Sequence, residues 1–133
     1  MSRSLLQAVN PSEQSVDVGG IISPGAVSRR FGCNIRLNGN TIEIEGAGYY
    51  TIDGTVTVAP TAAGGVSVAV YENGAPVPGI TAAGTAAAIG NDVTLPVCGT
   101  VRLGCCGSAS ALSLVLTAGA SAVTNVSLRV EKI

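Results

Sequence analysis

The stretch NIRLNGNTIEIE, residues 34–45, alternates apolar and polar side chains on both sides of an Asn-Gly dipeptide. A period of two is the pattern of a β-strand with one buried face. Asn-Gly between two such runs is a strong signal for a tight hairpin turn. The stretch therefore predicts an antiparallel hairpin in which Ile42 and Ile44 face a core while Glu43 and Glu45 face solvent.

The same period continues along the chain, interrupted by turn residues every 8 to 12 positions, and this spacing is typical of a sandwich or jelly roll. Gly54 within such a run predicts a bulge or a close backbone approach. Pro76 and Pro78 predict an edge strand, because proline cannot donate to a sheet ladder. Residues 82–89 have the alanine content of a short helix, but flanking glycines favour a strand. The further apolar runs are residues 49–58, 66–70, 93–98, 101–106, 112–117 and 126–131.

These runs predict an all-β chain, an antiparallel jelly-roll sandwich of about 8–10 strands. Its charge is unusual, since charged residues make up 11% of the chain, against about 25% in an ordinary soluble domain. The 7 basic and 8 acidic side chains would serve about 6,400 Å² of surface in a monomer of this mass. Charge alone protects such a monomer poorly against association, so we expect surface to be buried between subunits.

The first residues differ from the rest, because Leu5, Leu6 and Val9 are apolar and have no local partner in the sequence. Pro11, Gly19-Gly20 and Pro24-Gly25 interrupt the residues after them. We expect residues 1–28 to be an N-terminal arm or anchor and residues 29–133 to be the jelly-roll domain. The three apolar side chains are the predicted anchor to a partner. Deleting residues 1–20 would then abolish attachment and leave the domain folded.

Four cysteines and the absence of histidine limit the chemistry. The N-terminus has no apolar core of signal-peptide length, so we expect reduced thiols in a protein made in a host cytoplasm. Cys33 and Cys98 are predicted to be buried, as cysteines usually are. Cys105 and Cys106 are adjacent, and adjacent side chains of a strand point to opposite faces. We therefore expect no metal site.

Several function classes lack their usual residues. Nucleophilic catalysis lacks its customary histidine base, and no Gly-rich stretch with lysine opens a helix to hold a phosphate. A net charge of −1 with scattered arginines is no footprint for nucleic acid, and no run is long enough to span a membrane. The chain is thus predicted to be neither an enzyme nor a cofactor, nucleic-acid or membrane binder.

Four segments in order resemble the TNF-like and complement globular-head superfamily. GYYTIDGTVTV (48–58) resembles its strand with tyrosine after glycine, and VSVAVYENG (66–74) resembles its Asn-Gly hairpin. NDVTLPVCGTVRL (91–103) resembles its pair of strands joined by a turn, and NVSLRVEKI (125–133) resembles its closing strand. The resemblance covers residues 31–133. Bacterial and bacteriophage members are similar to this chain in being small and rich in glycine, alanine and threonine. The resemblance implies a homotrimeric jelly roll packed about a three-fold axis.

These features together predict a virion structural protein at the virion surface, a trimeric capsid decoration or head-fibre module bound to a capsid or other virion protein. Tyr49, Tyr50 and Tyr71 are the predicted subunit-interface residues; core packing is their other structural assignment, and ligand stacking is the alternative that is favoured less. The alternative is a carbohydrate- or receptor-binding adhesin, a tail-fibre tip or spore-surface module, with a surface glycan as its partner. It would use the segments 60–65, 75–90 and 118–124.

Overall fold

The computed structural model describes residues 4–89, 91–104, 109–119 and 121–133 of the 133 residues. These residues form strands and connecting turns, with no helix among them. The strands in chain order are β1 (Ser4–Asn10), β2 (Gln14–Val16), β3 (Ile21–Ile22), β4 (Ala26–Phe31), β5 (Ile35–Asn38), β6 (Thr41–Glu45), β7 (Gly48–Pro60), β8 (Gly64–Glu72), β9 (Ala75–Ala86), β10 (Val93–Leu103), β11 (Ala109–Ala118) and β12 (Ser121–Lys132).

Two antiparallel sheets face each other. The first sheet has the order β10–β7–β12–β1–β4, with β2 beside β12, and the second has the order β5–β6–β11–β8–β9, with β3 beside β11. Consecutive strands alternate between the sheets in several places, as in a jelly roll. The predicted all-β antiparallel jelly roll is confirmed. It has more strands than expected because β2 and β3 are only 3 and 2 residues long.

The core lies between the sheets and is built by the period-two pattern. In β7 the alternate residues Tyr50, Ile52, Val56 and Val58 are at most 1% exposed. Aliphatic side chains from the second sheet, such as Ile42, face them. Each such side chain contributes about 1.5–3 kcal/mol when it is fully buried, so this alternation is the main source of stability.

Two tight turns set the register of neighbouring strands. Asn38 pairs with Thr41, so the first hairpin loop is Gly39-Asn40, one residue later than the Asn-Gly dipeptide indicated. Gly39 has φ of 61°, which is the conformation of the first loop residue in a type II′ turn. The hairpin between β8 and β9 has φ of 53° at Asn73 and 85° at Gly74. Two left-handed residues make a type I′ turn.

The prediction of two strands joined by a turn within residues 91–103 is wrong, because residues 93–103 form one continuous strand, β10. Gly99 sits inside it, paired with Ile52. A Cβ atom at Gly99 would lie 2.4 Å from Cγ1 of Ile80. The glycine therefore makes room for an isoleucine that packs over the strand. The edge position predicted from the prolines is confirmed, since β9 is an edge strand of the second sheet.

The N-terminal residues pair within the first sheet. β1 pairs with β12 on one side, from Ser4 with Lys132 to Asn10 with Val126, and with β4 on the other. Leu6 is fully buried. Residue 28 lies within β4, so the predicted boundary between arm and domain does not coincide with a structural break. The predicted arm is thus wrong for residues 4–10, which are part of the jelly roll.

Candidate functional site: the open face of the first sheet

One face of the first sheet packs on the core, and none of the described residues covers the other. We call this second side the open face. It carries the alternate residues of five strands, and their side chains are half-buried or exposed. The strands contribute Leu5, Gln7 and Val9 from β1; Arg29 and Phe31 from β4; Tyr49, Thr51, Asp53, Thr55 and Thr57 from β7; Thr94, Pro96, Cys98, Thr100 and Arg102 from β10; and Asn125, Ser127, Arg129 and Glu131 from β12.

A row of polar residues crosses the middle of the open face. The strand registers place Gln7 beside Arg129, Arg129 beside Asp53, and Asp53 beside Cys98. Nη2 of Arg129 donates to Oδ2 of Asp53 at 3.1 Å, with the side chains 47% and 58% exposed. At this exposure the pair contributes about 0–1 kcal/mol to the free energy of unfolding. Its main effect is that the two charges neutralise each other.

Small hydroxyl side chains surround that row. Oγ1 of Thr57 lies 3.2 Å from Oγ1 of Thr94 on the neighbouring strand, and Oγ1 of Thr51 donates to the carbonyl of Glu131 at 3.4 Å. A shallow depression of about 220 Å³ lies among Gln7, Asp53, Gly54, Thr55, Ser127 and Arg129. The result is a flat surface rich in hydroxyl groups. Five of the nineteen residues on the open face are charged: Arg29, Asp53, Arg102, Arg129 and Glu131.

Large apolar side chains lie at one end of the open face. Tyr49 is 52% exposed and Phe31 is 53% exposed. Leu5, half-buried, pairs with Phe31. Both exposed rings lie near the ends of their strands, where β4 ends and β7 begins. Aromatic side chains of this kind are enriched where proteins contact one another.

The structure does not bring the three predicted interface tyrosines together. Tyr49 lies on the open face. Tyr50 is fully buried in the core, where its hydroxyl donates to the carbonyl oxygens of Glu45 and Gly46 at 2.9 and 2.8 Å. Burial and the charge of Glu45 raise the pKa of Tyr50. Its interface assignment is corrected to a core role, and Tyr71, half-buried, lies on the second sheet beside Ser113.

The predicted anchor residues are also split, because alternate residues of a strand face opposite ways. Leu6 faces the core, while Leu5 and Val9 are half-buried on the open face. The row from Gln7 to Cys98 was not predicted, since Asp53 and Arg129 are 76 positions apart. Register could have been inferred only from the full strand order, which the sequence pattern does not contain.

The cysteines correct a prediction. Cys33 and Cys98 are exposed, not buried, and neither is in a disulfide. Cys33 lies in the turn before β5, and Cys98 lies on the open face because it follows the buried Val97 in β10. Cys105 and Cys106 lie outside the described residues. No group of three or more metal-binding side chains occurs in the described part of the chain.

A second depression, of about 260 Å³, lies on the second sheet among Arg36, Glu43, Asn73, Ala109, Ser110 and Ala111. Nε of Arg36 donates to Oε1 of Glu43 at 2.8 Å, and Nδ2 of Asn38 donates to Oε2 of Glu43 at 2.9 Å. The hydrogen bonds from Asn38 and Arg36 lower the pKa of Glu43, and Glu43 raises the pKa of Arg36. An ionised, hydrogen-bonded carboxylate of this kind is a poor general base.

No protein-family model matches the sequence, and no curated protein matches it. Solved structures match over almost the whole chain. Murine APRIL at pH 5.0 gives a TM-score of 0.71 at 14% identity, over 99% of this chain and 100% of that one. The globular domain of zebrafish complement 1qA protein gives 0.71 at 6% identity, over 97% and 95%. PRD1 vertex protein P5 gives 0.65 at 16% identity, over 98% and 96%.

The chain has a TNF-like jelly-roll fold. At these identities the likeness concerns the fold, and it confirms the fold that the four sequence segments implied. The match to the TNF-like jelly roll extends beyond the predicted range of residues 31–133, because it covers 97–99% of the chain. No helix among the described residues has both the length and the apolar character needed to cross a bilayer.

Proposed function

We propose that this protein is a non-enzymatic structural module of a virion surface, and that it assembles as a homotrimer through the open face. The observation that carries the proposal is the open face itself: a flat sheet surface with nothing covering it among the described residues. The fold of PRD1 vertex protein P5, which is similar over 98% of this chain, supports the virion assignment.

The size of the open face suits a subunit interface. Five strands of 6 to 13 residues, spaced about 4.8 Å apart and rising about 3.3 Å per residue, cover roughly 800 Å². A standard specific interface buries about 800 Å² on each partner. The single chain exposes 6459 Å² of accessible surface but has only 15 charged side chains, 7 basic and 8 acidic. Self-association buries part of this weakly charged surface.

Attachment to a larger virion protein, as a capsid decoration or head-fibre module, is the second part of the proposal. A free N-terminal arm no longer explains it, because residues 4–10 lie within the sheet. Residues 1–28 still offer exposed apolar contacts in Ile21 and Val27, which are 46% and 41% exposed. The adhesin alternative is less supported, since most of the segments 60–65, 75–90 and 118–124 are strands. Glycan binding stays a prediction.

The solution mass tests the homotrimer. Light scattering on a sizing column should give three times 13.1 kDa. The substitution Thr55→Arg places a charge at the centre of the open face and should yield a folded monomer, whereas Thr81→Arg, on the exposed side of edge strand β9, should leave the mass unchanged. A monomeric wild-type protein, or equal masses for both variants, would contradict the open-face trimer.

The virion part is tested separately. Particles purified from a culture that carries the gene should contain the protein by mass spectrometry, in amounts expected of a structural component. The Thr55→Arg variant should be depleted from particles if attachment needs the trimer. Absence of the wild-type protein from purified particles would contradict the virion assignment and leave the trimer untouched.

A further inference from the structure

The depression on the second sheet opens on the side of that sheet that faces away from the core, which we call the outer side. It measures about 260 Å³, just below the range of about 300–1,000 Å³ that small-molecule pockets occupy. Ala111 on β11 lies between Glu43 on β6 and Asn73 in the turn after β8, and its short side chain leaves this space open. The depression therefore has room for one small ring.

The polar side chains around the depression are held in place by hydrogen bonds. Arg36 and Glu43 are paired across the hairpin of β5 and β6, and Nε of Arg36 donates to Oε1 of Glu43 at 2.8 Å. Nδ2 of Asn38 donates to Oε2 of Glu43 at 2.9 Å. Oδ1 of Asn73 accepts from the N–H of Ala111 at 2.9 Å. A ligand would meet planar groups that are already oriented, which reduces the entropy lost on binding.

Two of these side chains keep hydrogen-bonding groups for a ligand. Only Nε of Arg36 is engaged by a described residue, so Nη1 and Nη2 remain as donors on a side chain that is 64% exposed. Oδ1 of the exposed Asn38 accepts from none of the residues in the described ranges. A hydroxyl group both donates and accepts a hydrogen bond. Because both side chains flank the carboxylate of Glu43, neighbouring hydroxyl groups of one ligand can accept from Arg36 and donate to Asn38.

The charge around the depression favours a neutral ligand. Glu45 lies two residues beyond Glu43 on the same side of β6, and both carboxylates raise the pKa of Arg36. One guanidinium and two carboxylates leave a net charge of −1 here, which repels an anion. A cation is disfavoured as well, because both oxygens of Glu43 already accept hydrogen bonds.

An aromatic ring borders the depression. Tyr71 of β8 precedes Asn73 by two residues, about 7 Å along the strand, and it is half-buried on the outer side beside Ser113. The face of a tyrosine ring is apolar, and the hydroxyl at its tip is polar. A ligand that combines hydroxyl groups with a C–H surface can contact both the ring and the polar side chains. Sugars have this combination.

We propose that the depression binds one neutral sugar residue, with neighbouring hydroxyl groups hydrogen-bonded to Arg36 and Asn38 and the C–H face of the sugar against Tyr71. The residues that form the site lie outside the segments that the adhesin alternative would use. The site is on the sheet opposite to the open face, so the inference holds for a monomer or a trimer and does not depend on the virion assignment. A trimer would carry three such sites, and multivalent binding raises the overall affinity for a repeating glycan.

A titration followed by NMR tests the site. The full-length protein, labelled with ¹⁵N, is titrated with the neutral sugars glucose, galactose, mannose, fucose and N-acetylglucosamine at millimolar concentrations. At least one of them should shift the backbone amide signals of Arg36, Glu43 and Ala111 saturably. If none of the five sugars shifts these signals, or if the shifts centre on another surface, the proposal is overturned.

Matched arginine substitutions test the residues. Arg36→Ala removes the free donors and should weaken binding of the best sugar of the panel roughly tenfold or more. Arg129→Ala is the control, because it removes the arginine of the ion pair on the open face and changes the net charge equally. It should bind the sugar as wild type does. Equal losses in both variants, or no loss in Arg36→Ala, would overturn the assignment.

The ring is tested in the same way. Tyr71→Phe keeps the ring face and should keep the affinity for the sugar, whereas Tyr71→Ala should lose roughly tenfold or more. Amide signals far from the depression show whether each variant is folded. Wild-type affinity in a folded Tyr71→Ala variant would contradict the proposed position of the sugar.

Two anionic sugars test the charge argument. Glucuronate and galacturonate should bind at least roughly tenfold more weakly than the best neutral sugar, because the net charge of the site repels them. If either bound as tightly as the best neutral sugar, with shifts at the same amides, the site would be an anion site and the neutral class would be wrong.

Discussion

Gly54 of β7 lies directly against the carbonyl oxygen of Ser127 on β12, so closely that a Cβ atom at Gly54 would stand 2.3 Å from that oxygen. The same Cβ would lie 3.0 Å from Cα of Leu128. Both of these are backbone atoms, which cannot rotate out of the way as a side chain can. The close approach predicted from a glycine inside a strand is therefore present, and the ladder continues through it without a bulge.

Gly54→Ala should destabilise the fold by about 1–3 kcal/mol, the range for overpacking that forces a backbone shift. Urea unfolding followed by circular dichroism measures the change in the free energy of unfolding. Gly65→Ala is the control, because a Cβ at Gly65, in β8, meets nothing within 4 Å. Equal stability of the two variants would show that β7 and β12 are not this close.

Tyr50→Phe should lower the free energy of unfolding by about 1–2 kcal/mol, because it removes the hydroxyl that donates to the carbonyls of Glu45 and Gly46. Tyr49→Phe, on the exposed open face, should change stability by less than about 0.5 kcal/mol. Thermal and urea unfolding of both variants test this difference. Equal effects would contradict the buried position of the Tyr50 hydroxyl.

The raised pKa of Tyr50 predicts a pH dependence. Below about pH 10 the hydroxyl is protonated in both states, and its full contribution is present. Above that pH the unfolded chain releases the proton more readily than the folded protein, so the contribution is lost as pH rises through the folded pKa. The stability advantage of wild type over Tyr50→Phe should therefore shrink as the pH rises above about 10. A constant advantage would contradict it.

The turn at Asn73 should be sensitive both to backbone conformation and to its side chain. Its φ is 53°, its N–H donates to the carbonyl of Ala111 at 2.8 Å, and its Oδ1 accepts from the N–H of Ala111 at 2.9 Å. Asn73→Ala should cost about 2 kcal/mol, one part for the left-handed backbone and one for the lost hydrogen bond.

Two further variants separate these parts in urea unfolding. Asn73→Gly relieves the backbone but loses the hydrogen bond, so about half of the cost should remain. Asn73→Asp keeps the acceptor oxygen and should be the mildest of the three. If glycine proved as costly as alanine, the left-handed conformation would carry none of the effect.

Leu5 and Leu6 are adjacent but should behave in opposite ways. Leu6→Ala empties a fully buried site and should cost about 2–5 kcal/mol. Leu5→Ala lies on the open face and should leave monomer stability within about 1 kcal/mol while weakening association. Deleting residues 1–10 removes β1 from between β12 and β4 and should abolish cooperative unfolding. A folded deletion variant would restore the free-arm interpretation.

Features that depend on residues close together in the sequence were predicted, and features that depend on distant residues were not. The hairpins were predicted from local sequence signals. Even so, the first turn lies one residue later than predicted, at Gly39-Asn40. β1 was missed because its partner is at the other end of the chain, with Ser4 opposite Lys132. An isolated apolar run looks the same whether it pairs with a distant strand or with another protein.

The open face shows the same limit. Alternation indicated which residues of β7 share a side, but not which side would be left without a covering layer. The exposure of Cys98 was mispredicted from the average behaviour of cysteine, although it alternates with the buried Val97. Periodicity within the strand was the better guide, because the side of a strand is fixed by geometry and residue preference is only a tendency.

Cys98 and Cys33 together can report whether the open face is covered in solution. Both thiols are exposed in the single chain, but Cys98 lies in the central row of the open face, beside Asp53, while Cys33 lies in the turn before β5. Trypsin places them on separate peptides, residues 31–36 and 37–102, and places Cys105 and Cys106 on a third, residues 103–129.

Brief labelling of the native oligomer with iodoacetamide, followed by digestion and mass spectrometry, should modify Cys33 roughly tenfold or more faster than Cys98, because a covered thiol reacts only when the interface opens. In the Thr55→Arg variant the two rates should converge, and Cys33 is the internal control for reagent and pH. Equal rates in an oligomeric wild-type protein would place the subunit interface on another surface, since Cys98 would then be as accessible in the assembly as in the single chain.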